Sequence, residues 1–240
     1  MLFSLSTQRT WLNSSEAKTM TVAPALAVPR RSSRFMEFLT TPWVDKTIAV
    51  IAVIPTSIEL YRRYTSDNLS FPRAVLGIQG FIMIITMVLR RTPVKVTPNP
   101  WYWLLAFVAT YGILFVNAFA WTGRPIVPSI VTNGLAILSA AIFIYARLSL
   151  GRSIGMVPAN RGIVTRGAYQ YVRHPIYSGL FVAMIALVLR SYAPTTLLAV
   201  SIIIVLFVIK SLVEERFLSA DPEYAAFLQR VRYRWIPGVL

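Results

Sequence analysis

The stretch from Trp101 to Trp121 carries no charged side chain, and Ile130 to Leu150 carries one, Arg147. A bilayer's hydrocarbon core of about 30 Å is crossed by roughly 20 apolar residues in a helix, so both segments are long enough to span it. Four other apolar segments are shorter or less even: Thr47 to Leu60, Ala74 to Leu89, Ile176 to Leu189 and Ala193 to Ile209. The first is the weakest, because Pro55 interrupts it and only Thr47 to Ile58 is free of charge before Glu59. At 56% hydrophobic and 14% charged, 240 residues cannot be arranged around one aqueous-facing surface. The expected fold is an all-α integral, multi-pass membrane protein with about five to six transmembrane helices.

Basic residues indicate how these helices are oriented, since short loops rich in Lys and Arg stay on the cytoplasmic side. Arg30, Arg31 and Arg34 place the N-terminal region inside, and Arg90, Arg91 and Lys95 mark a second inner loop. The turn at Arg124 and the hairpin near Arg190 and Tyr192 are poor in charge and belong outside. The loop from Arg147 to His174 and the tail with Arg216, Arg230, Arg232 and Arg234 return inside. Arg62, Arg63 and Arg73 strain this pattern, because they fall on the nominally outer side. Val22 to Val28 is too short and too proline-broken for a signal-peptide core, so no cleavage is expected; Met20 is an alternative start position.

Lys and Arg number 24 against 9 Asp and Glu, a net charge of +15. Basic residues beside helix ends are what topology and anionic headgroups select, and no nucleic-acid module signature accompanies them, so nucleic acid is not an expected partner. The absence of cysteine excludes disulfides, thiolate metal sites and a cysteine nucleophile, and a single histidine argues against a histidine-cluster metal site.

That histidine, His174, lies where a basic loop enters an apolar segment. No aspartate or glutamate occurs between Asp67 and Glu214, and then two carboxylates, Glu214 and Glu215, follow directly on the last apolar segment. Ile176 to Leu189 and Ala193 to Ile209 are joined only by Arg190, Ser191 and Tyr192, which predicts an antiparallel C-terminal helical hairpin. Its two ends meet on the inner side, so the Arg173 to Gly179 cluster should face Glu214 and Glu215 in one cytoplasmic pocket. Taken singly, Arg173 reads as a topology anchor, His174 as an interfacial hydrogen-bonding residue and the glutamates as a solvated helix end. Their convergence is what points to a site.

Arg173-His174-Pro175-Ile176-Tyr177-Ser178-Gly179, preceded by Gly167-Ala168-Tyr169-Gln170-Tyr171-Val172 and followed by Glu214-Glu215 and the Tyr224 to Pro237 tail, resembles the isoprenylcysteine carboxyl methyltransferase and phospholipid methyltransferase superfamily. The resemblance covers roughly Arg147 to Leu240 and gives the chain an expected layout: a flexible basic region over residues 1–40, N-terminal transmembrane helices over 41–145, and a methyltransferase-like catalytic region over 146–240. Ala168 stands where many members have proline, which loosens the turn without touching a charged contact.

The resemblance implies S-adenosylmethionine as cofactor and a binding set of Gly167, Tyr171, Arg173, His174, Pro175, Tyr177, Gly179, Glu214 and Glu215. The chemistry matches: Arg173 can oppose the cofactor carboxylate, and Glu214 or Glu215 can hold its ammonium or ribose hydroxyls. His174 can serve ribose or adenine, and Tyr177 adds a ring with a hydroxyl. Pro175 suits a first helical turn, Gly179 lets a neighbouring helix or the cofactor approach, and Gly167 turns the chain.

The acceptor implied is a lipid or a prenylated molecule, with membrane lipids around it. A carboxylate acceptor needs a cation to orient it, and Arg230 lies where isoprenylcysteine enzymes have a functional arginine, so Arg230 and His174 are the candidate catalytic residues. A phosphatidylethanolamine amine would first have to lose a proton, to a carboxylate or to His174. A non-enzymatic lipid-binding or transport protein is the remaining alternative. Transport favours ionisable groups near the bilayer midplane, where the central segments offer mainly Asn117 and Asn133.

Overall fold

Each of the six apolar segments lies wholly or largely over a helix in the computed structural model, which describes Phe38 and residues 41–65, 71–119 and 123–239. The basic lead-in with Arg30, Arg31 and Arg34 lies outside the described residues. The long helices are α1 (Pro42–Thr65), α2 (Phe71–Val88), α3 (Pro100–Phe119), α4 (Ser129–Leu150), α5 (Pro175–Arg190) and α6 (Pro194–Leu218), followed by a short α7 (Pro222–Arg230). Helix α1 continues through Pro55, and α6 runs nine residues past Ile209, where the apolar segment ends in the sequence. The described departures from an all-helical fold are strands β1 (Lys95–Val96) and β2 (Ala159–Asn160), paired antiparallel with Lys95 opposite Asn160.

Among the described residues two helices are long and apolar enough to cross a membrane: α4 with its 3-10 extension, over Ser129–Ser153, and α6. Their mean hydropathies are 1.8 and 2.7, yet only 17% and 33% of their apolar windows are buried. Ile130, Leu148 and Leu198 point outward, as do many other large apolar side chains. A continuous apolar exterior of this kind suits lipid and not water. Helix α5 and the Ile78–Val88 part of α2 are apolar but shorter.

Helix α5 packs most extensively on α4. A Cβ on Gly179 would stand 3.0 Å from the Phe143 backbone nitrogen and 3.1 Å from the Ser139 carbonyl oxygen, so any side chain here would have to push the two helix backbones apart by a few tenths of an ångström. The Ser139 hydroxyl donates to the Gly179 carbonyl at 2.8 Å across the contact. One cluster, with Ala109, Tyr177, Met184, Ile203 and Phe207, joins α3, α5 and α6, and a second, with Ala49, Val53, Met87, Ala106 and Met156, joins α1, α2 and α3 to the loop after α4.

The connections gather at the two ends of the helices. At one end the Arg124 and Tyr192 turns exchange backbone hydrogen bonds of 3.1 and 2.8 Å. At the other, Asp45 in the first turn of α1 is buried between two arginines from distant loops. Its Oδ1 accepts from Arg90 Nη2 at 2.7 Å and from Arg161 Nη2 at 2.8 Å, while Oδ2 accepts from Arg90 Nε at 3.2 Å and Arg161 Nη1 at 3.1 Å. Burial alone would raise the Asp45 pKa, but the Arg161 hydrogen bonds and the charges of Arg161 and Arg90 outweigh it and hold the carboxyl below its ordinary value.

A folded pKa below the unfolded one adds stability that is complete above the ordinary carboxylate range, near about pH 4, and is lost as pH falls through the depressed value. Unfolding of the detergent-solubilised protein followed between about pH 7 and pH 3 should show this loss. Asp45→Asn should flatten that acid slope and cost about 3–5 kcal/mol near neutrality, because two buried guanidiniums lose their anion. Coincident pH profiles for the two proteins would show that the clasp contributes nothing.

Candidate functional site

Pro175 opens α5 at its first turn, and His174 is the residue that precedes the helix. This entry is held from the C-terminal side of the chain. The Arg173 and His174 backbone amides donate to the carbonyls of Tyr233 and Arg234 at 2.9 and 2.8 Å, and the Ser178 hydroxyl reaches the Trp235 carbonyl. The Arg173 guanidinium donates to the carbonyls of Val231 at 2.7 Å and Leu228 at 3.0 Å. The tail after α7 therefore lies along the segment that enters α5. Helix α7 is itself fixed by Asp221, whose side chain caps the Glu223 amide at 2.9 Å and accepts from Asn160 of β2 at 2.7 Å.

Glu214 and Glu215 sit in the last turns of α6, and successive helical residues point about 100° apart. Glu215 is buried and turns toward the start of α5. Its carboxylate accepts from His174 Nε2 at 3.2 Å, Arg173 Nη1 at 3.4 Å and Arg234 Nε at 3.2 Å. An ionised carboxylate only accepts, so Nε2 of His174 carries the proton and Nδ1 is the nitrogen left for other chemistry. Glu214 turns elsewhere: its Oε2 accepts the Tyr177 hydroxyl at 3.0 Å. The Tyr177 ring stacks on His174 with centroids 5.3 Å apart and planes 4° from parallel.

Glu214, His174, Arg173 and Tyr177 line a cavity of about 280 Å³ that runs from the loops into the space between α2, α4, α5 and α6. That volume sits near the lower end of the roughly 300–1,000 Å³ usual for small-molecule sites. Met83, Phe143, Leu180 and Phe207 form its apolar part, and Tyr169 and Tyr224 its loop side. Burial first, and the Glu214 carboxylate second, push both tyrosine hydroxyls up, so they remain protonated donors.

The structure thus brings together Arg173, His174, Tyr177, Glu214 and Glu215, and sorts them: Glu215 binds protein groups, while the other four face the cavity. Pro175 and Gly179 shape α5 without lining the cavity, and Gly179 receives a neighbouring helix. Gly167 begins a 3-10 turn at φ +65°, in the left-handed region that favours glycine. Tyr171 and Arg230 are exposed and stand outside the cavity lining. Reading the sequence did not single out Tyr169, Tyr224 or Lys210 as site residues, though all three line the cavity. For Lys210 a signal was present, since an ionisable residue inside an apolar helix is a functional candidate by default.

The donor set fits S-adenosylmethionine: a carboxylate at Glu214, with one oxygen on the Tyr177 hydroxyl, for a cation or hydroxyls, phenol donors, and aromatic faces at Tyr177 and His174. Residues 129–221 match the family model described as phospholipid methyltransferase. No curated protein matches the chain.

The two glutamates should separate on mutation. Glu215→Ala leaves two arginines and the His174 N–H around a buried gap and should cost about 3–5 kcal/mol in unfolding experiments. Glu214→Gln, which forfeits one charged hydrogen bond, should cost only about 1–2 kcal/mol. Equal losses would contradict the division of roles.

Proposed function

Because residues 129–221 belong to the isoprenylcysteine and phospholipid methyltransferase superfamily, we propose that the chain is an S-adenosylmethionine-dependent, multi-pass membrane methyltransferase of the isoprenylcysteine carboxyl O-methyltransferase kind, with its cofactor site on the cytoplasmic side. The observation that carries this reading is one cavity with two characters: polar loop groups at its mouth, and apolar helix faces at Phe143, Leu180 and Phe207 behind them. Such a cavity admits a water-soluble cofactor from the loop end and a lipid tail from between the helices.

When bound, S-adenosylmethionine would supply an activated methyl group on its sulfonium for the acceptor oxygen, with a neutral thioether as the leaving group. The protein's part is positioning and exclusion of water. Glu214 holds the cofactor's ammonium or ribose hydroxyls, and His174 and Tyr177 give it a stacked pair of rings with polar edges. Arg173 is held by two tail carbonyls and Glu215, so it orders the cofactor's entry loop and offers its charge to the cofactor carboxylate from a fixed position. Glu215 sets the tautomer of His174. Arg230, exposed at the end of α7 and outside the cavity lining, would meet an acceptor carboxylate or a headgroup at the interface.

The description of the matching family model favours a second acceptor, the amine of phosphatidylethanolamine. That amine must shed a proton before attack, and His174 Nδ1 or Glu214 would take it.

Calorimetric titration of the purified protein with S-adenosylmethionine should give saturable binding. Glu214→Gln and His174→Ala should weaken it by at least about tenfold, equivalent to about 1.4 kcal/mol. No binding by the unmodified protein would overturn the proposal. Radiolabelled methyl transfer to a prenylcysteine should give a base-labile ester, whereas a base-stable product on phosphatidylethanolamine would establish the amine reading instead.

A further inference from the structure

Two cations line the cavity without a carboxylate of their own. Arg147, at the end of α4, is 5% exposed, and Lys210, one turn before Glu214 on α6, is 6% exposed. The Arg147 guanidinium donates to the Thr86 hydroxyl through Nη1 at 3.2 Å and lies 5.2 Å from the Phe143 ring centroid, while its buried Nε has no hydrogen-bond partner. The Lys210 ammonium lies 5.4 Å from the Tyr177 ring centroid and 5.5 Å from that of Phe207.

Other buried arginines nearby are treated differently. Arg90 and Arg161 share Asp45, and Arg173 shares Glu215 with Arg234. Among the described residues Glu214 is the one carboxylate in the cavity lining; it is committed to Tyr177 and lies within electrostatic reach of Lys210, as does Arg147. The two buried cations thus outnumber the carboxylates of the lining. A bound cofactor with a sulfonium, an ammonium and one carboxylate adds a further net positive charge. A neutral or cationic acceptor would leave that charge uncompensated among apolar walls, where an unpaired ion is strongly disfavoured.

Resting on the methyltransferase reading above, we propose that Arg147 and Lys210 form an oxyanion-holding pair that selects an acceptor with an anionic oxygen group beside its lipid tail. The Arg147 guanidinium, which lines the cavity, is a planar donor group suited to an oxyanion, and Lys210 supplies a point charge beside it. Met83, Phe143, Leu180 and Phe207 line the path of the tail. Carboxylates and phosphodiesters share the required chemistry.

The test compares ligands that differ only in this charge, with the full chain in detergent and without turnover. N-acetyl S-prenylcysteine should bind at least about tenfold tighter than its methyl ester, a difference of about 1.4 kcal/mol. A monoacylglycerol phosphate monomethyl ester, an anionic phosphodiester, compared with its neutral dimethyl ester gives the phosphate arm, and whichever arm shows the larger ratio identifies the source of the anion. Arg147→Met and Lys210→Met should each abolish the preference, Lys210→Arg should retain it, and the S-adenosylmethionine Kd should stay within about twofold in all three.

No preference for the anionic ligand in either arm, or a preference that survives both methionine variants, overturns the proposal. So does a loss of S-adenosylmethionine affinity with acceptor binding intact, which would give the pair to the cofactor carboxylate. Failure of the unmodified protein to bind S-adenosylmethionine is a separate outcome that sinks the methyltransferase reading, because the charge comparison is read without the cofactor. Melting midpoints guard against unfolding, since replacing an unpaired buried charge by a methionine is expected to leave stability unchanged or higher.

Discussion

The Glu215 carboxylate is the contact on which the loop end of the molecule depends. It joins the last turns of α6 to His174 and Arg173 at the entry of α5, and to Arg234 in the tail. Near the C-terminus of α6 the helix dipole opposes a negative charge, while the N-terminus of α5 favours one. Three surrounding cationic or protonated groups decide the balance. With this anion in place the Arg173 guanidinium can hold the Leu228 and Val231 carbonyls, and the tail is drawn along the α5 entry. The geometry of His174 and Tyr177 at the cavity is a consequence of that anchoring.

Asp45 performs the equivalent task for the N-terminal half. One buried carboxylate serving two arginines ties the start of α1 to the loop after α2 and to the loop that leaves β2. Clasps of this type are poor sources of net stability compared with apolar packing, but they fix register, because removal of one member leaves an uncompensated charge. In a bundle whose outer faces are apolar, directional contacts at the helix ends are what distinguish one arrangement of similar helices from another.

The helices were legible in the sequence because lipid-facing segments leave an apolar run, and each of the six candidates from Thr47 to Ile209 lies wholly or largely over a described helix. The hairpin logic was legible too, since three residues between two apolar segments leave little choice of geometry. What the sequence hid was the difference between adjacent glutamates: the pair reads as one feature, while the 100° step along α6 sends one side chain to a structural knot and the other to a cavity. The tail was hidden for another reason. Val231 to Trp235 acts mainly through backbone carbonyls, which every residue possesses and no composition reveals. Asp45 left no signal because its partners, Arg90 and Arg161, are distant in sequence and looked like ordinary topology markers.

Depth is the variable that sorts the remaining charges. At the loop end Arg90, Arg161 and Arg173 have carboxylate partners, whereas Arg147 and Lys210, placed among apolar helices, lean on a hydroxyl, on aromatic faces and, for Lys210, on the nearby Glu214. A cation over an aromatic ring recovers roughly 0.5–2 kcal/mol, less than the several kcal/mol that desolvating an ion costs in a protein interior. A fold maintained only for stability would replace such residues with leucine or methionine at no loss. Their position, facing the one cavity that also holds His174 and Glu214, gives the expense a purpose: the missing counter-charge enters with a ligand, and the apolar surroundings that make each cation costly when the cavity is empty make it selective when the cavity is filled.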